Sequence, residues 1–493
     1  MRKSLWWTLV MVLLAGLIYR LAFLGFRQLW IDEILQAIIT RAISLPEMMM
    51  RLRDAQSAPA PLDYLAQKAV ITILGETAWT LRLHAAVFGT LSLWFFFRLA
   101  RLVFTARVAV YATFLFSFYP LHHHYSQEGR PYSLLVLFTL ICYERLFRLV
   151  QAKNLQTVRF VELGLGLLFV FYTSFLGILL ILSQWVALVI SAVTRQKHGE
   201  TICCDPVLDL HSLPPARWSL VLWYSLTAVT ALLIFLPWIA FAWERPSVAA
   251  PNAIADPKLA IRLFKELGDN SYPMSGLIFI GAILGTLALQ RNHRQQTSLW
   301  LWSWFLIPIP ALLLIQLSSG YFFAIRHILH LTPPLILLAG YGVCHFGSKI
   351  QINGARIKQL FNPVALYAGS FLVTSLIIAG SHTKREPIDW RGASEFLRVN
   401  VSSDQKVLMP HIYPLIEFYS PNLEHNRAPF ENLDELGPNR LNDVSYVVCA
   451  DEITRDPCTK LRSYLTSCKM WRTQKFKGIV VFCRADRNTM MDR

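Results

Sequence analysis

Long apolar runs separated by short polar gaps set the rhythm of this chain from its first residues to about position 380. The runs lie near 5–24, 81–103, 108–122, 131–149, 160–173, 175–193, 218–240, 275–290, 298–317, 327–346 and 363–380. A bilayer core needs roughly 20 apolar residues in helical form. The pattern therefore predicts a polytopic α-helical membrane protein with about eleven transmembrane helices, residues 1–381. After Gly380 the rhythm changes. Alternation in Val444–Cys449 and Gly478–Cys483 predicts strands, and Ala393–Val399 and Thr459–Leu465 read as helices. Residues 382–493 are thus expected to form a small C-terminal α/β domain.

The polar gaps orient the spans. Arg98, Arg101 and Arg107, then Arg145, Arg148, Lys153 and Arg159, then Arg195, Lys197 and Arg217, and later Arg291, Arg294, Lys349, Arg356 and Lys358, fall in alternate gaps. Basic residues gather on the cytoplasmic side. Arg2 and Lys3 place the N-terminus there too. An odd number of spans then puts residues 382–493 on the extracytoplasmic side. Residues 25–80, the first outer loop, carry Arg27, Arg41, Arg51, Arg53 and Lys68 against that rule. Helices lying in the interface would account for them, with Leu62, Leu65, Ala69 and Ile73 as an apolar face, and an extra or re-entrant pair of spans is the alternative. Within the outer loop 241–273, Pro257 to Leu267 reads as a short amphipathic helix. The loop 194–217, with Pro206, Pro214 and Pro215, reads as an irregular cytoplasmic connection.

Composition narrows the function classes. With 54% hydrophobic and 16% charged residues, the chain is too apolar for a soluble or disordered protein. The net charge of +16 is a topology signal, because the excess lies in the gaps between spans while residues 382–493 are nearly balanced. No nucleic-acid partner is expected. Trp6, Trp7, Trp238 and Trp243 suit interface belts rather than base stacking. Four cysteines, Cys449, Cys458, Cys468 and Cys483, fall in the outer domain, where two disulfides or four buried thiols are both open readings. Cys203-Cys204 lacks the partners of a zinc site.

Candidate chemistry clusters at the outer ends of spans. Asp32-Glu33 follows the first span, where adjacent carboxylates have no spanning role. Asp32 reads either as a general base or as the cap of a helix starting near Ile34, and Glu33 either joins it or complements the helix dipole. Gln127, Glu128, Arg130 and Tyr132 lie in a bend before or just after Pro131, as a substrate-facing group or as a local ion pair fixing that bend. Arg326 precedes an apolar run, and either grips phosphate with its two-pronged guanidinium or snorkels to headgroups. His122-His123-His124 invites a metal reading, but consecutive helical residues point apart and do not chelate together.

These motifs resemble those of the GT-C membrane glycosyltransferases, especially the bacterial relatives of protein O-mannosyltransferases and of the lipid A aminoarabinose transferase. Tyr125-Ser126-Gln127-Glu128-Gly129-Arg130-Pro131-Tyr132 is nearly that family's Tyr-Ser-Gln-Glu-Ala-Arg-Pro-Tyr. Asp32-Glu33 matches an Asp-Glu pair of the first outer loop. Pro61-Leu62-Asp63-Tyr64, followed by Leu81-Arg82-Leu83, is similar to a further stretch, and Arg326-His327-Ile328-Leu329 and Asp389-Trp390-Arg391-Gly392-Ala393 also match. The chain departs from the family at Ala58-Pro59-Ala60-Pro61, where a histidine or lysine often precedes the prolines, and at Tyr172-Thr173-Ser174, where the family has Tyr-Thr-His.

The resemblance implies a multi-pass protein of the inner membrane of the cell that carries out an inverting sugar transfer. The donor would be a polyprenyl-phosphate sugar and the acceptor a glycan, lipid or protein. Asp32, with Glu33, would be catalytic. Asp63, Tyr64, Arg82, Gln127, Glu128, Arg130, Tyr132 and Arg326 would bind substrate, the arginines stabilising the departing lipid phosphate. No cofactor is assigned, and a divalent metal stays open. The rival readings are a transporter or flippase for a lipid-linked glycan, and an inactive scaffold of the same fold.

Overall fold

The computed structural model describes residues 3–55, 60–152, 154–197, 218–242, 259–319, 324–349, 362–384, 388–409, 413–426, 441, 444–450, 464–468 and 470–484. In chain order the helices are α1 (Lys3–Leu21), α2 (Ile31–Thr40), α3 (Leu45–Asp54), α4 (Leu62–Leu74), α5 (Thr80–Val103) and α6 (Ala106–Ser117). Then come α7 (Pro120–Ser126), α8 (Tyr132–Gln151), α9 (Thr157–Thr173), α10 (Gly177–Lys197), α11 (Trp218–Ala242) and α12 (Leu259–Leu267). The series continues with α13 (Tyr272–Arg291), α14 (Gln295–Leu306), α15 (Pro308–Ser319), a 3-10 helix Ile325–Leu331, α16 (Pro333–Lys349), α17 (Pro363–Lys384), α18 (Trp390–Asn400) and α19 (Tyr413–Tyr419). The chain divides into two bodies: residues 1–24 with 42–382, and residues 25–41 with 383–493.

The first body is helical throughout, and each apolar run of the sequence is helix. Among the described residues, six helices are long and apolar enough to cross a membrane, and the bent pair 325–331 and 333–348, at 53°, makes a seventh. Ser174, with extended backbone, separates α9 from α10, and Pro120 starts α7 afresh after the apolar α6. The outer surface is what lipid demands: Ile18, Trp7, Leu233 and Ile377 are among many large apolar side chains left outward. Where two helices must approach closely, glycine replaces bulk. A Cβ on Gly285 of α13 would lie 2.1 Å from the Leu338 carbonyl oxygen of α16, and one on Gly281 would lie 2.7 Å from Ala339 Cβ. This is the small-residue spacing by which helices dock without a hydrophobic driving force.

Helix α4 carries the same logic to the first outer loop. Its apolar residues Ala69 and Ile73 are exposed, while Asp63, Tyr64 and Gln67 are buried. Of the expected apolar face, Ala69 and Ile73 therefore point away from the protein while Leu62 and Leu65 are half-buried, and the polar face supplies interior hydrogen bonds. Helix α12 forms over the predicted amphipathic stretch. The loop around Cys203-Cys204 lies outside the described residues.

The second body is an α/β unit. Its sheet has the order β1-β2-β4-β3, with β1 (Val407–Leu408) parallel to β2 (Tyr446–Ala450), and β4 (Ile479–Arg484) antiparallel to both β2 and β3 (Trp471–Phe476). Strands β2 and β4 lie where alternation places them. Leu408, Val447, Leu465, Trp471 and Phe482 form the core of this unit, together with the buried Cys449. Cys468 and Cys483 are free thiols, so two disulfides are not formed; Cys458 lies outside the described residues. Of the expected helix at Thr459–Leu465 only the end is described, where residues 464–467 are helical.

Candidate active site

The Tyr125–Tyr132 octet links two helices through a tight turn. Proline starts α7 at position 120 and caps α8 at position 131, where its fixed φ suits a helix entrance. Between them the Arg130 amide donates to the Glu128 carbonyl at 2.7 Å, and Ser133 Oγ donates to the Tyr125 carbonyl at 2.9 Å. Gly129 sits against the start of α5: a Cβ there would lie 2.7 Å from the Leu81 carbonyl oxygen. Gln127 Nε2 donates to the carbonyls of Arg20 and Ala22 at 3.1 and 2.7 Å. Tyr125 and Tyr132 pack edge to face with centroids 5.0 Å apart. The bend before Pro131 is thus closed by backbone, and Glu128 is directed elsewhere, to His124 Nε2 at 2.9 Å.

Two arginines of the motif set lie on elements that pack together: Arg130 stands in the turn between α7 and α8, and both helices contact the 3-10 helix that carries Arg326. Arg326 acts electrostatically on Tyr125 and on Glu266 of α12. Burial raises the Glu266 carboxyl, while Arg262, the amide of Ile325 and Arg326 oppose that shift. Guanidinium charge therefore stands beside buried tyrosine and a half-buried carboxyl group, a setting that suits phosphate oxygens.

Other candidates lie on α4 and at the start of α5. Asp63 is fully buried, with its Oδ2 3.3 Å from His84 Nε2. Arg82, also buried, donates to the Leu24 carbonyl at 3.0 Å. Tyr64 is buried beside them on α4, and Gln67 Nε2 donates to the Leu81 carbonyl at 2.7 Å.

Asp32 and Glu33 stand in the second body, in the first turn of α2. The helix begins at Ile31, and Glu33 accepts a hydrogen bond from the Trp30 amide at 3.3 Å. The capping role therefore falls to Glu33, which is buried, and not to Asp32, which is half-buried one residue before it. The segment leading into α2 is tied to the C-terminal unit: Gln28 Nε2 donates to Asp389 Oδ1 at 3.0 Å, and that oxygen also accepts from the Gly392 amide at the start of α18. Arg41 lies over the Phe418 ring at 3.9 Å.

The three adjacent histidines diverge, as their spacing predicts. His122 Nδ1 meets Arg20 Nη2 at 2.8 Å, His123 stacks on Tyr19 with centroids 3.6 Å apart, and His124 turns to Asp269 and Glu128. Asp269 and His382, which complete a cluster with His124, carried no motif in the sequence. Burial disfavours charge on His124, but Asp269 and Glu128 outweigh it and push its pKa up to about 10.

Comparison with known proteins places this architecture. A family model described as dolichyl-phosphate-mannose-protein mannosyltransferase matches residues 58–203. The structure of ArnT from Cupriavidus metallidurans bound to undecaprenyl phosphate superposes with a TM-score of 0.63 at 14% identity, over 97% of this chain and 98% of that one. The chain has the GT-C fold. Two further GT-C structures match it. The Archaeoglobus fulgidus oligosaccharyltransferase, solved with a tethered acceptor peptide, gives a TM-score of 0.55 at 11% identity over 99% of this chain and 75% of that one. The arabinofuranosyltransferase AftD from Mycobacteria gives 0.55 at 12% identity, over 99% of this chain and 40% of that one. Compared by sequence with the curated proteins, the chain matches none. Its long apolar helices and this fold are those of a multi-pass membrane protein.

Proposed function

We propose that the protein is an inverting glycosyltransferase that moves a sugar from a polyprenyl-phosphate donor to an acceptor at the extracytoplasmic face of the inner membrane. Asp32 takes the acceptor proton as its oxygen or nitrogen attacks the anomeric carbon, and Arg326 and Arg130 stabilise the departing lipid phosphate. The observation that carries this reading is the packing of α7 and α8, which flank Arg130, on the 3-10 helix that carries Arg326, in a fold whose ArnT representative was solved with undecaprenyl phosphate. Fixed guanidinium charge in a partly dry setting favours the state in which negative charge develops on the leaving oxygen.

A single base suffices for this displacement. The acceptor attacks from the face opposite the lipid phosphate, so the anomeric configuration inverts and no covalent sugar intermediate forms. Glu33 contributes by holding the first turn of α2 in place through the Trp30 amide. In this reading Glu128, Tyr132, Gln127, Asp63, Tyr64 and Arg82 serve the binding of the donor.

The test is release of polyprenyl phosphate by purified protein supplied with polyprenyl-phosphate sugars and candidate acceptors. Asp32→Asn, nearly isosteric, should lower turnover about 10²- to 10⁴-fold, the usual contribution of a general base. Wild-type turnover in a folded Asp32→Asn protein would remove Asp32 from the mechanism.

A further inference from the structure

His124, Asp269 and His382 come from three separate parts of the first body: α7, the turn between α12 and α13, and the end of α17. His124 Nδ1 lies 3.0 Å from Asp269 Oδ1, and His382 Nε2 lies 2.7 Å from Asp269 Oδ2. One ligand atom from each residue lies within 4.8 Å of the others. Behind His124, its Nε2 lies 2.9 Å from Glu128 Oε1, and the second oxygen of Glu128 is buried with no hydrogen-bond partner. The turn that presents Asp269 is firmly held. Tyr119 donates its hydroxyl to the Leu267 carbonyl at 2.8 Å, and Asp269 and Asn270 both take left-handed backbone, with φ of 57° and 66°.

We propose that His124, Asp269 and His382 bind a divalent transition-metal ion, for which zinc is the best fit, with Glu128 as the carboxylate behind the His124 ligand. Two imidazoles and a carboxylate are a donor set that zinc takes at about 2.0–2.2 Å. Three such donors around one tetrahedral ion sit within the spread already present, so closing on the ion needs only small side-chain movements. A metal-bound histidine usually donates its other ring N–H to a carboxylate, which fixes the tautomer. Glu128 stands in that place: with the proton on Nε2 shared with Glu128, Nδ1 offers its lone pair toward Asp269 and His382. The ion also offsets the charge of two buried carboxylates, Asp269 and Glu128, and leaves a fourth position for water. By joining α7, the α12–α13 turn and the end of α17, it fixes the segment that carries Arg130. This site stands independently of the transferase reading.

Full-length protein purified in detergent, stripped with a chelator and re-equilibrated with zinc chloride alone should hold about one zinc per chain by elemental analysis. Asp269→Asn and His382→Gln should lose it. Glu128→Gln should weaken it about tenfold to a hundredfold, as removing such a supporting carboxylate does elsewhere. Zinc should raise the unfolding temperature of the wild type and leave that of His382→Gln unchanged. Cobalt in place of zinc should give visible d–d bands without a near-ultraviolet thiolate band. The proposal is overturned by wild type that holds no zinc above the variants, by a thiolate band that puts the ion on cysteine, or by full zinc retention in folded His382→Gln. That last variant decides the matter if Asp269→Asn fails to fold.

Discussion

Replacing Gly129 by alanine adds one methyl group at the one glycine of the octet, where the GT-C pattern itself has alanine. In this chain the new Cβ would lie 2.7 Å from the Leu81 carbonyl oxygen and 3.1 Å from Gln67 Nε2. An ordinary carbon to oxygen contact is about 3.3 Å or more, so the turn must back away by roughly 0.6 Å. Neither neighbour yields freely. The Leu81 carbonyl belongs to the first turn of α5 and already accepts from Gln67 at 2.7 Å, and the next residue, Arg82, is pinned to the Leu24 carbonyl. Overpacking of this kind costs about 1–3 kcal/mol. Since a full ångström of misplacement can cost about a hundredfold in rate, a shift of this size at Glu128 and Arg130 should lower sugar transfer on the order of tenfold. The assay pairs donor turnover with thermal unfolding in detergent. Gly129→Ala protein that matches wild type in both would refute the argument that the Leu81 carbonyl is why glycine stands there.

Two other outcomes follow from the arginines and the topology. Arg326→Ala should raise the apparent KM for the lipid donor, or lower kcat, more than Arg326→Lys does, since lysine keeps the charge and loses the fork; donor kinetics unchanged in both variants would leave Arg326 as a headgroup anchor. A reporter fused after Arg493 should be active only outside the cytoplasm, and cytoplasmic activity would force an even number of spans.

The helical body was legible because lipid imposes a simple rule: every long apolar run must satisfy its backbone internally, and each of them is helix. Interfacial segments obey a subtler one. In α4 the sequence marks Leu62, Leu65, Ala69 and Ile73 as a face, but only burial reveals that Asp63 and Gln67 look inward. At the first carboxylate pair, a helix start one turn earlier than expected transfers the cap from Asp32 to Glu33. Local spacing correctly kept His122, His123 and His124 from acting as one chelate. The partners that His124 does find, Asp269 and, through it, His382, lie 145 and 113 residues apart along the chain in successive steps. No periodicity or motif reports a contact of that range. The octet itself was readable, yet the reason for its glycine was not, because the Leu81 carbonyl that excludes a side chain belongs to another helix.

Transfer and transport differ in one bond, so the most direct measurement follows that bond. Purified protein in liposomes, given a polyprenyl-phosphate sugar of known anomeric configuration and an acceptor, should release polyprenyl phosphate in step with a glycosylated product whose anomeric configuration, read by NMR, is inverted, and Asp32→Asn should suppress both. Intact lipid-linked sugar moving from one leaflet to the other, with no bond cleaved across a range of acceptors, would contradict the account.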